Sequence, residues 1–437
     1  MSADNLIIDE AAATDVVAKN GRMVRDGIWL SLGAAFTSVA GLIGWLVSAH
    51  LASREVVGTT TAFTSGFLLV ASLSQLSLGP AVLRWIPRAG GRSAALLSRT
   101  YLVIIGGALV GVGVFFALPA GRLALAALPG WGLPLFTATT LVWAVMQFQD
   151  PVLTSFGKAG VVLAKNFGFG IGRVGILLIA GATGGALGIV LSWAVPAGIA
   201  AIVVSVLVAR AAAKRRALPD GLLPDRTELT HLLGPTYLAT IGQSLLYYLL
   251  PLIVTGRVGV ADGAVFFVVW TAVTALDVAG TAFVNSLVVR VAADPGRVRE
   301  LAKTAGTRLA LLFGPLMVVG IAIAHPLLNL FGRAYAELGA TALQLVLLGC
   351  LPRLLVLLTI GVSQAQGKGF IVAGLQLSSA ATMIPVALFL PARLTTIGLG
   401  FAIVQVLVAG AAGFVLRHRV RIKESTDIVP ITSGVAV

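Results

Sequence analysis

A chain of 437 residues with 58% hydrophobic and only 11% charged positions does not suit a soluble domain, which is nearer half apolar and about a quarter charged. Its net charge of +14 would fit nucleic acid, but the basic residues follow every second apolar segment, the pattern by which Lys and Arg orient membrane proteins. The single cysteine, Cys350, excludes an internal disulfide and a cysteine-cluster metal site, and four scattered histidines offer no His-based one.

In chain order, residues 1–26 carry Asp4, Asp9, Glu10 and Asp15 and lack the basic start and apolar run of a signal peptide. They read as a cytoplasmic tail. Six apolar segments follow, over 27–51, 57–83, 100–121, 132–154, 161–182 and 187–209. Each is close to the ~20 residues that cross a ~30 Å hydrocarbon core at ~1.5 Å per residue. A connection over 210–228 holds Lys214-Arg215-Arg216 and the turn-prone Leu218-Pro219-Asp220-Gly221. Six more segments cover 229–255, 261–289, 308–331, 338–364, 369–391 and 395–416, and a second tail takes 417–437.

The charges sort by side. Of 31 Lys and Arg, 24 fall in the tails and every second connection, Lys158 and Lys165 among them. Five (Arg54, Arg122, Arg257, Arg333 and Arg393) fall one per loop on the other side, and two, Arg173 and Arg353, fall inside segments. The basic side is expected to be cytoplasmic, with both termini there, in the plasma membrane. The expected fold is an all-α polytopic membrane protein of about 12 transmembrane helices, a first lobe at 27–209 and a second at 229–416, around a central cleft. The halves echo each other: Gly58 pairs with Gly263, Leu83-Arg84 with Val289-Arg290, and Gly157-Lys158 with Gly367-Lys368, all at nearly one offset. An even-numbered repeat keeps one orientation, so the copies would be related by an axis along the membrane normal.

Deep charges are where chemistry is expected, because a charge at the bilayer centre costs at least ~2.5–3.5 kcal/mol and faces a cavity or a partner. Asp277 lies ~20 Å along its helix from either mouth, Arg353 is at comparable depth, and Arg173 lies ~12 Å beyond Lys165. Two readings stay open. In one, Arg173 and Arg353 line a water-filled cleft for an anionic substrate. In the other, Asp277 and Arg353 form an internal ion pair. Asp150 lies nearer the cytoplasmic end of its helix and suits a helix-end role. Arg84 and Arg290, at equivalent helix ends, either form an entry collar or simply anchor the topology. Gly170-Ile171-Gly172-Arg173-Val174-Gly175 fits a dinucleotide-binding string, but it lies inside an apolar helix with no preceding strand and is set aside. The glutamines Gln75, Gln147, Gln243, Gln344, Gln364 and Gln405 suit bonds between helices better than sugar binding.

Three stretches carry a resemblance: Leu51-Ala52-Ser53-Arg54-Glu55-Val56-Val57-Gly58, Leu76 to Pro87, and Phe148 to Lys158. They resemble the polysaccharide (O-antigen-type) flippases of the multidrug/oligosaccharidyl-lipid/polysaccharide (MOP) exporter superfamily. The resemblance implies two six-helix lobes around a cationic cleft, and a flippase moving a polyprenyl-pyrophosphate-linked oligosaccharide from the inner to the outer leaflet for cell-surface polysaccharide biosynthesis. It implies no enzyme, no cofactor and no metal. Expected partners are membrane lipids, the lipid-linked glycan and other polysaccharide-assembly proteins, with no nucleic acid. Expected cleft residues are Arg173, Arg353, Asp277, Arg84 and Arg290. Few deep basic residues set this chain apart from that pattern. The alternative is a cation-coupled drug or metabolite exporter of the same superfamily, which would lean on buried carboxylates.

Overall fold

The computed structural model describes Trp29, Gly33 and residues 36–293 and 297–418, apart from Ala127 and Pro129; the side chains of 181–184, Arg226, 285–293 and His418 are outside that description. The expected tails, 1–26 and the chain beyond His418, lie outside it as well.

The first six expected segments become α1 (Phe36–Leu51), α2 (Arg54–Ser74) with α3 (Leu78–Trp85), α4 (Ser93–Ala117) with the short α5 (Pro119–Leu125), α6 (Gly132–Ser155), α7 (Ala159–Ala180) and α8 (Gly185–Arg215). The last six become α9 (Thr227–Val258), α10 (Val260–Ala293), α11 (Val298–Ala322) with α12 (Ala324–Asn329), α13 (Arg333–Ala365), α14 (Gly369–Phe389) and α15 (Leu394–His418). Ten of these are long and apolar enough to span a membrane. α1 is shorter in its described part. α6 is long but carries Gln147, Gln149 and Asp150. The chain is a multi-pass membrane protein.

Three local departures have local causes. The second expected segment is broken, with Leu76 and Ser77 both at positive φ between α2 and α3. Pro80, which cannot donate a helical hydrogen bond, sits in the first turn of α3, where that loss is free. α9 contains a π-turn at Leu245–Leu249, directly before Pro251. A proline there leaves the Tyr247 carbonyl without its usual donor. Between α7 and α8 the chain turns at Gly185, with φ 51° and ψ −127°.

One pair of the positions matched by spacing shares its turn geometry. Gly157 and Gly367 each adopt a φ of +70°. The next amide in each turn reaches back five residues, Lys158 to Leu153 at 2.9 Å and Lys368 to Ser363 at 2.8 Å. This left-handed closure of a helix is the one that glycine permits without steric cost.

The two lobes meet along α2, α9 and α10. At one end Arg54 lies 3.8 Å from Asp262, and a Cβ on Gly58 would fall 1.8 Å from the Val260 carbonyl oxygen. Only a glycine allows α2 to come so near the start of α10. At the basic end Ser72 bonds Ser244 and Ser77 bonds Thr240, both at 2.8 Å, and Arg84 pairs with Glu228 at 2.6 Å. The seam is therefore closed at both ends of α2. Gly58→Val is expected to force α2 from α10 and destabilise the protein by about 1–3 kcal/mol. Gly175→Val, which points into open space, should not. Melting temperatures in detergent test the contrast.

Candidate functional site

Among the described residues the interior holds three charged centres, and they differ in how well the charge is met. In the first lobe α7 carries Arg173 at 1% exposure. Its guanidinium lies 3.9 Å from the ring centre of Trp193 on α8 and 5.5 Å from that of Trp45 on α1. Trp143, Phe67 and Phe169 pack edge-on or tilted against Trp193 and extend the aromatic wall. Gly44 makes the room: a Cβ there would lie 2.8 Å from the Arg173 Cζ. Nε and Nη2 of Arg173 are buried without a hydrogen-bond partner, and no carboxylate pairs with it among the described residues. Cation–π contact returns about 0.5–2 kcal/mol, less than each unmet charged donor and the buried charge together cost. The centre is a net cation short of an acceptor.

The second lobe is balanced. Arg353 on α13 donates from Nε to both oxygens of Asp277 on α10, each at 2.7 Å, and its Nη1 reaches Gln405 on α15 at 3.2 Å. Tyr247, displaced by the π-turn of α9, donates to the Asp277 Oδ2 at 2.5 Å. Four helices thus converge on one neutral cluster. The ion pair that stood as one of two readings for Asp277 and Arg353 is present in the structure.

The third centre corrects an expectation. Lys165 was expected at the basic surface, but its side chain is 1% exposed. It pairs with Asp150 at 2.5 Å and donates to the Met146 carbonyl at 2.6 Å. Asp150 is thus a partner in an ion pair between α6 and α7. The spacing held the signal: Asp150 is seven residues before Gly157 and Lys165 seven after Lys158, so a hairpin at that turn places them at one depth. The same reasoning pairs Arg173, seven residues before the end of α7, with Trp193, eight residues after the start of α8. Tyr247 gave no such signal, because its position depends on the π-turn.

Arg84 is half-exposed, pairs with Glu228 and stacks over Trp85 at 5.3 Å. Arg290 lies near the basic end of α10, with its side chain outside the described residues. Among the glutamines, Gln75 bonds Gln147 at 2.7 Å and Gln344 bonds the Ile321 carbonyl at 3.1 Å, so these tie helices together.

Two lobes joined along α2, α9 and α10, each with its own buried charges, match solved structures over nearly the whole chain. A MOP superfamily transporter from Pyrococcus furiosus, described as having a binding pocket of reverse polarity that suggests a different function, aligns with a TM-score of 0.64 at 15% identity, over 91% of this chain and 95% of that one. The Vibrio cholerae MATE transporter VcmN aligns at 0.61 and 16%, over 93% and 98%. This is the MATE fold. A multidrug resistance MATE family transporter in an outward-facing conformation aligns at 0.61 and 15%, over 91% and 95%. No protein-family profile and no curated protein matches the sequence. Within the MATE fold, Arg173 belongs to the first lobe and the neutral cluster to the second.

Proposed function

We propose that the chain is an exporter that carries an anionic lipid-linked substrate, a polyprenyl-pyrophosphate-linked oligosaccharide, from the inner to the outer leaflet by alternating access. The observation that supports this reading is Arg173, a buried guanidinium with two unmet donors and no carboxylate on it. A planar guanidinium binds phosphate oxygens in pairs, so a diphosphate is the kind of group this centre lacks. An inside-negative potential also favours outward movement of an anion by ~2.3 kcal/mol per charge per 100 mV. The MATE fold has two lobes, an arrangement in which rocking one against the other would give alternating access.

The test is a strain lacking the protein. It should accumulate glycan-loaded carrier lipid on the inner leaflet, and the protein should restore flipping. Absence of that accumulation would count against the reading. The cation-coupled drug exporter remains the second reading, favoured by the multidrug neighbour and by the aromatic wall around Trp193. Against it, Asp277 and Asp150, the two deep carboxylates, are each taken up by a basic side chain. Increased resistance to cationic dyes on overexpression would favour it.

Both readings require the seam at the basic end of α2 to open. The Ser77 and Thr240 hydroxyls are 2.8 Å apart, so a Ser77→Cys/Thr240→Cys pair is expected to oxidise readily. Oxidation should stop transport and reduction should restore it. Full transport by the cross-linked protein would show that this seam does not move.

A further inference from the structure

The connection between the lobes and the start of α4 flank a half-open cavity of about 410 Å³ on the basic side, lined by Arg92, Ala95, Leu96, Arg99, Leu223 and Pro224. The first four follow helical spacing, so they share one face of the chain entering α4. The connection is held in place there. The Gly91 amide donates to the Pro219 carbonyl at 3.1 Å, the Gly221 amide donates to Ala89 at 3.2 Å, and Arg92 bonds Asp220 at 2.9 Å. Leu218 and Leu222 of this connection are exposed, and Leu223, which lines the cavity, is partly exposed through its mouth. A connection with exposed leucines beside arginines fits a headgroup region better than bulk water.

The same face of α4 continues into the membrane. Gly106 is seven residues beyond Arg99, and a Cβ on it would meet nothing within 4 Å. Leu102, Val103, Leu109 and Val110 around it are exposed. Gly107 and Gly111, by contrast, pack against Ser74 and Val70 of α2. So α4 has a packed glycine face and an open one. The open face is a shallow apolar groove that runs up to Arg99 and the cavity. No carboxylate pairs with Arg99 among the described residues.

We propose that this cavity and groove form a binding site for an acidic phospholipid of the leaflet on the basic side. The phosphate would lie between Arg92 and Arg99, and an acyl chain would lie along Leu102, Gly106 and Val110. The cavity lies between α4 and the connection, so an occupant braces that connection against the first lobe. The site lies outside all three buried charge centres, and the inference does not depend on what the chain transports.

Native mass spectrometry of the purified full chain with equal amounts of dioleoyl phosphatidylglycerol and dioleoyl phosphatidylcholine tests it. The wild type should retain the acidic lipid about tenfold or more over the zwitterionic one, the preference two arginines near the headgroups provide. Arg92→Gln/Arg99→Gln should bring the two lipids to near parity. Arg299→Gln/Lys303→Gln, exposed on α11 of the second lobe, which packs on α10 and α13, should keep the preference. Gly106→Leu, which fills the groove, should weaken retention of the dioleoyl lipid but not of a dihexanoyl phosphatidylglycerol. That comparison stands if the double arginine variant fails to fold. Parity in the wild type, an unchanged preference in Arg92→Gln/Arg99→Gln, or an equal loss in Arg299→Gln/Lys303→Gln would overturn the site. So would displacement of the lipid by millimolar inorganic phosphate, which would mark a free-anion site, or a far stronger preference for a polyprenyl diphosphate.

Discussion

Replacing Arg173 with Met is expected to cut transport by roughly 10- to 100-fold, the value of a charged hydrogen bond to a phosphate, while leaving the protein as stable as before or more so. The two effects separate because Arg173 makes little use of its charge in the resting structure. Its contacts are the faces of Trp193 and Trp45, worth about 0.5–2 kcal/mol in all. Against this stand two buried donors without partners, at about 1–3 kcal/mol each. Met fills a similar volume without a charge. Arg173→Lys should keep some transport, since it preserves the charge but loses the planar fork. Transport assays beside detergent melting curves decide the matter. A Met variant that transports normally removes Arg173 from the substrate route. One that melts well below the wild type makes it a structural residue.

Asp277→Asn should behave in the opposite way. It removes the partner that holds Arg353 and Tyr247, leaving a buried guanidinium uncompensated, at a cost of about 3–5 kcal/mol. Arg353→Met alone should cost a similar amount, because it strands the carboxylate. The double variant Asp277→Leu/Arg353→Met should recover most of the loss, since a buried pair replaced by apolar groups is often neutral or stabilising by 1–4 kcal/mol. Chemical unfolding of the wild type, Asp277→Leu, Arg353→Met and the double variant in one detergent gives the coupling energy directly. If Asp277→Asn stays stable but no longer transports, the carboxylate takes part in transport and is more than a partner for Arg353.

Much of the architecture was legible because the bilayer imposes it. Segments of about 20 apolar residues fall where helices stand, and the turns at Gly157 and Gly367, matched by their spacing, share one geometry. The depth of Asp277 and Arg353 was also legible, since rise per residue converts sequence distance to depth. Their convergence with Tyr247 and Gln405 was not, because it depends on how four helices rotate and on a π-turn. Lys165 was misplaced for a related reason. Charge counting assigns a side of the membrane, but it does not say whether a carboxylate waits across a hairpin.

The sequence by itself therefore determined that the chain crosses a membrane many times, that its basic residues gather on one side, and that Arg173, Asp277 and Arg353 fall within apolar segments. These follow from hydropathy and length, which act on each segment separately. Only the tertiary structure decided which deep charges are neutralised. Asp277 meets Arg353, and Asp150 meets Lys165, while Arg173 meets only tryptophan rings. That outcome depends on the azimuth of each helix about its axis, and azimuth is set by packing against neighbours.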